Sequence, residues 1–182
     1  MPFYIGADWV GAVIRMVNLE RSEAALMFGS LKKIFTSVVG DASLQKFEDC
    51  QLATAALLTR VATIDIEMSG ARREKLQALL KSHFGLDDLA VAQLIRESAE
   101  AARSAVDLYR FTRHLNGALD DQDRKRVVKM MWQVVYVDGP ANEFESNIIW
   151  RTADLLGVSS RQRIELRQLV AADRAALNPV QF

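Results

Sequence analysis

The chain has 182 residues, half of them hydrophobic and one quarter charged, with 23 basic and 23 acidic side chains that cancel. That length suits one domain with an appendage and a sizeable core, and a neutral balance argues against nucleic acid or an anionic membrane as main partner. Three prolines and nine glycines favour helices over a turn-rich β fold, and the single Cys50 has no internal disulfide partner, which fits a reducing cytoplasm.

In chain order, residues 1–26 show no periodic apolar face, and "WVGAVI" is too short to span a bilayer and lacks a cationic leader in front of it. Met27 is a credible start, so these residues are expected to pack loosely. "MFGSLKKIFTSVV" (27–39) predicts an amphipathic helix with Phe28, Leu31, Ile34, Phe35 and Val38 on one side. It suits docking on a bundle, with peripheral membrane contact through Lys32 and Lys33 as the alternative. Residues 1–42 therefore read as an N-terminal extension, and 43–178 as a helical domain.

From about residue 47 helix follows helix. "FEDCQLATAALLTRVATIDI" carries Leu52, Ala55, Leu58 and Ala62 at helical spacing, widened by Leu57, Val61 and Ile64. "SGARREKLQALLKSHFG" has Ser69 as N-cap and Gly85 as its stop. "DDLAVAQLIRESAEAARSAV" opens on Asp87 or Asp88, and "DLYRFTRHLNGAL" is a shorter helix with Leu108, Phe111 and Leu115 on one face. "DDQDRKRVVKMMWQVVYV" starts acidic and turns apolar, which places its second half centrally, with Trp132 and Tyr136 as core residues. "NEFESNIIWRTADLLG", with Trp150 also in the core, and "SSRQRIELRQLVAADRAAL" complete an all-α chain.

An internal repeat orders these helices. "VATIDIEMSGARREKL" (61–76) aligns without a gap on "VVYVDGPANEFESNII" (134–149), matching Val61 to Val134, Asp65 to Asp138 and Leu76 to Ile149. Leu57-Leu58 fall on Met130-Met131, and Phe84-Gly85-Leu86 on Leu156-Gly157-Val158 after a one-residue deletion. The expected fold is a compact bundle of about seven to eight helices, made of two helix–helix–helix repeats facing each other about a pseudo-twofold axis.

Asp65 and Asp138 end helices, where the macrodipole disfavours negative charge, so each requires a partner: an arginine, amide groups or a cation. Glu145 by contrast sits at N3 behind Asn142, close to a capping box. If the repeats face each other, Asp65, Glu67, Asp138 and Glu145, with Asn142 or Glu143, gather as an oxygen-rich cluster suited to calcium or magnesium. Neither loop is an EF-hand, lacking ligands at alternate positions around a central glycine.

"DLYRFTRHLNGALDDQDRKRVVKMMWQVVYVDG", with the acidic helix start and "ADLLGV" behind it, resembles the TerB-like tellurite-resistance family over roughly residues 45–170. The resemblance implies an all-helical fold and a metal site built from acids of both loops, carried here by Asp138 and Glu145 in the second loop and Asp65 in the first. It also implies a bacterial stress role and, from related domains, protein partners of co-chaperone or membrane-linked kind. The first loop departs from the pattern twice, with Ile66 in place of glycine and Arg72 in place of glutamate. From that position Arg72 can reach back towards Asp65, and on to Asp138 if the loops pair. Its fixed charge predicts calcium or magnesium binding that is weak, in roughly the 10⁻⁴ to 10⁻³ M range, or absent.

The resulting expectation is a non-enzymatic cytoplasmic module, cation-responsive or partner-binding. The alternative is a helix-turn-helix DNA regulator using the 159–176 helix, with Arg161, Arg163 and Arg167 on phosphates or bases. The first copy has Asp87 and Asp88 at that turn, which speaks against it. His83 and His114 lack zinc-ligand neighbours, and no nucleophile elbow or Gly-rich phosphate loop occurs.

Overall fold

Helix signals in the sequence translate into helices almost one for one. The computed structural model describes residues 41–64, 68–104 and 108–177, which form seven α-helices and no strand. They are α1 (Asp41–Ala62), α2 (Gly70–Phe84), α3 (Asp88–Ser104), α4 (Leu108–Ala118), α5 (Asp121–Val135), α6 (Glu143–Leu155) and α7 (Ser160–Leu177). The amphipathic segment expected at 27–39 and the stretch 1–26 lie outside the described residues, as do Asp65 and Glu67.

Helix ends follow local chemistry. Ser69, Asp120 and Asn142 cap α2, α5 and α6, each side chain accepting the backbone N–H three residues on. Asp87 does the same for α3, accepting from the Ala90 N–H at 2.7 Å. Gly85 and Gly157 stop their helices at φ 61° and 72°, a left-handed backbone that side chains other than glycine's disfavour. Behind them Leu86 N–H donates to Lys81 C=O at 3.1 Å, and Val158 N–H to Ala153 C=O at 2.9 Å. These are the same six-to-one closing bond at equivalent positions of the two repeats. One boundary differs from the sequence reading: α1 begins at Asp41, not near 47. Gln45 and Lys46 in its early turns are exposed, so they carry no apolar stripe from which a start could be read.

The packing exchanges the two repeats. α1 contacts α2 and α3 as α5 contacts α6 and α7, and α2 touches α3 as α6 touches α7. Across the molecule α2 reaches α5 while α6 reaches α1, and α1 packs directly on α5. Swapping the repeats reproduces every one of these pairings, which is the pattern a twofold axis between α1 and α5 imposes. α4 joins the halves, lying on α1 and α6. Aligned apolar residues share their burial: Val61 and Val134, Leu58 and Met131, and Leu76 and Ile149 are all fully buried.

α1 is as central as the second half of α5. Every residue from Ala53 to Thr59 is buried, because α1 meets five other helices. Three alanines in that run let neighbours approach closely. Thr59 is accommodated by a buried hydrogen bond of 2.9 Å between its hydroxyl and that of Ser98 on α3, so no polar group is stranded there.

Candidate functional site

The loop between α5 and α6 and the start of α2 come together through four side chains. Asp138 lies three residues past the end of α5, where carbonyls point outward and a carboxylate is poorly placed by itself. Ser69 answers part of that need: its hydroxyl faces both Asp138 carboxylate oxygens, at 3.1 and 2.9 Å. The same oxygen accepts the Arg72 backbone N–H at 3.1 Å, so one serine both caps α2 and holds the opposite loop.

Arg72 supplies the charge. Its Nε lies 2.8 Å from Asp138 Oδ2, and its Nη2 lies 2.6 Å from Glu145 Oε1. The first contact is ionic, without the alignment of a hydrogen bond. The Glu145 side chain is only 3% exposed, against 35% for Asp138, so the inner pair is shielded and the outer one meets solvent. Glu145 Oε2 accepts the Asn142 N–H at 2.9 Å, and Asn142 Oδ1 accepts the Glu145 N–H at 2.9 Å, completing a capping box. Glu145 is thus held by its own helix on one oxygen and by the other repeat on the second.

Of the four acids expected to gather, Asp138 and Glu145 are brought to one guanidinium, and Asp65 and Glu67 fall outside the described residues. Glu143 is exposed at the start of α6. Among the described residues no three His, Cys, Asp or Glu side chains are grouped to hold a metal. The sequence reading aimed Arg72 at Asp65 and Asp138. It missed Glu145 as a partner and read Ser69 as a cap alone. The signal for Glu145 was present in the repeat, since Arg72 and Glu145 are equivalent positions, but only facing packing makes equivalent positions neighbours.

A family model described as tellurite resistance protein TerB matches residues 51–168, spanning α1 to α7 and the whole of this clamp. The chain belongs to the TerB family. A search of curated proteins and a search of solved structures returned no match. The TerB family is generally a non-catalytic domain.

Two further features surround the TerB clamp. On α7, Arg163 lies over the Trp150 ring and Arg167 over the Trp132 ring, each 5.5 Å from the centroid. Arg167 Nε also donates to the Tyr136 hydroxyl at 3.2 Å, and Arg163 Nη1 to the Trp150 carbonyl at 3.3 Å. Trp132 stacks on Tyr136 and meets Trp150 edge-on, so two of the three arginines a DNA reader would use are folded onto aromatic rings. The third, Arg161, pairs with Glu165 at 2.8 Å. Beside the α5–α6 loop, a cleft of about 590 Å³ opens between α2, the end of α5 and α7.

Proposed function

We propose that this chain is a non-enzymatic, cytoplasmic TerB-family module that binds a protein partner in a bacterial stress response. The observation that carries the reading is the cleft next to the clamp. Tyr136, Val137 and Val170 give it an apolar floor, while Lys75, Asp173 and Arg174 supply charges of both signs. An apolar groove edged with mixed charge suits a peptide segment that anchors with apolar side chains and is oriented by ion pairs. Its walls come from both repeats, so the two halves must be assembled for it to exist. The cytoplasmic setting is supported by the lone cysteine, and none of the described helices is long and apolar enough to cross a membrane.

Site-specific photo-crosslinking in cells tests this reading. A photoreactive residue at Ala176 or Lys75, both lining the cleft, should capture a discrete protein that one at Glu100, outside it, does not. Purified, that protein should bind directly, and Asp173→Lys should weaken it by about tenfold, the loss of roughly one well-formed ion pair. Identical products from all three positions would sink the reading. Salt-dependent binding to duplex DNA would return the α7 arginines to consideration.

A further inference from the structure

We propose that in this chain Arg72 is a built-in replacement for the metal ion that the family resemblance implies, so that the two-loop clamp works without calcium or magnesium. The inference stands apart from the partner reading and rests on three observations. The first is occupancy. Glu145 Oε1 and Asp138 Oδ2 are 2.6 and 2.8 Å from guanidinium nitrogens, and Glu145 Oε2 is held by the Asn142 N–H. A hard cation sits close to its oxygen ligands, about 2.3–2.6 Å away for calcium and about 2.0–2.1 Å for magnesium. Bound to these two carboxylates, it would be forced against a fixed positive charge. As held here, Asp138 and Glu145 do not fit a divalent ion unless Arg72 leaves.

The second observation is symmetry. Positions 72 and 145 are the same place in the two repeats, one turn into α2 and α6, and their side chains touch. Only positions close to a twofold axis contact their own equivalents. A glutamate at both would set two carboxylates facing each other in a shielded place, an arrangement that repels unless a cation intervenes. With Arg72 in one copy and Glu145 in the other, the same contact becomes an attraction between opposite charges. A single residue therefore converts a place that needs a loose cation into one that carries its own.

The third is linkage between the halves. Arg72 and Ser69 belong to the first repeat, Asp138 and Glu145 to the second, and all the bridging contacts run between the repeats. The clamp is then constitutive: it joins α2 to α6 and the α5–α6 loop at any calcium level, and the cleft beside it is set permanently.

Thermal denaturation of the full chain with EDTA, calcium chloride or magnesium chloride reads this directly. Wild-type Tm should be the same in all three, and calorimetry should show no saturable site even at about 10⁻³ M, the weak end of calcium modules. Arg72→Glu should melt lower in EDTA and gain about 5 °C in about 10 mM calcium, as binding at roughly 100 times Kd stabilises a domain of this size. Asp138→Asn in that background should remove the gain. Arg72→Gln, which takes the charge away without adding a like one, gives the same test should Arg72→Glu not fold. A fall in wild-type Tm on chelation, tight wild-type binding, or no calcium response from either variant overturns the proposal.

Discussion

Glu145 is the most consequential single residue, because it is buried with its charge answered from two sides. Among the described residues Arg72→Met would leave it only the Asn142 N–H, and removing one partner of a shielded pair costs about 3 kcal/mol or more. Adding Glu145→Gln should return part of that loss, since an amide is cheaper to bury unpaired. Urea denaturation in EDTA measures both variants, and additive losses would show that the two side chains do not act as a pair. His83 offers a second test. Burial, helped by the nearby charge of Arg126, lowers its pKa to about 4. Below about pH 6.5 the unfolded chain takes up a proton that the folded chain refuses until about pH 4, so stability is lost across that window. His83→Gln should reduce the fall in stability between pH 7 and 4.5 by about 2 kcal/mol. Equal falls in variant and wild type would mean that the imidazole is not shielded. Cys50 is also buried, which pushes its thiol up to about 11, so native protein should react slowly with thiol reagents.

At the scale of helices, backbone conformation and the terminal bonds decide where each one stops. Gly85 and Gly157 end α2 and α6 with the same left-handed turn and the same closing bond. Alanine at either should cost about 1 kcal/mol or more through conformational strain, which acts alone at Gly157, since a Cβ there meets nothing within 4 Å. Gly117 is the opposite case. It lies within α4 with open space around a prospective Cβ, so Gly117→Ala should stabilise by about 0.5 kcal/mol through helix propensity and unfolded-state entropy. Thermal melts of the three variants would separate these mechanisms, and a loss at Gly117 equal to that at Gly157 would refute the distinction. The aromatic contacts of α7 belong to this scale too. Arg163 and Arg167 cover Trp150 and Trp132 instead of pointing outward, which turns a hairpin with regulator-like spacing into an internal brace.

Over the whole molecule, the direct packing of α1 on α5 makes the two repeats one cooperative unit. Leu58→Ala and Met131→Ala occupy matching, fully buried positions, and each should cost about 3 kcal/mol. Far-UV circular dichroism and tryptophan fluorescence should still report one transition; since all three tryptophans lie outside the described first-repeat helices, separate transitions would mean that the halves fold alone. Much of this architecture was legible beforehand. Caps at Ser69 and Asn142, stops at Gly85 and Gly157, and the apolar spacing of α2 through α7 are local, encoded within a few residues of where they act, and the repeat shows as a gapless match of 61–76 on 134–149. Even the need for a partner at Asp138 followed from its place beyond a helix end. What the chain order could not specify was which partner answered it. Arg72 and Glu145 coincide in the alignment of the repeats but lie 73 residues apart along the chain, and nothing local brings them together. The contact exists because burying the apolar faces of α1 and α5 against each other turns equivalent positions towards a common axis. Local propensity thus determined the helices and their ends. Tertiary packing alone decided that the acid of one repeat and the arginine of the other would meet, because the burial of apolar surface, not the attraction of the charges, fixed where they lie.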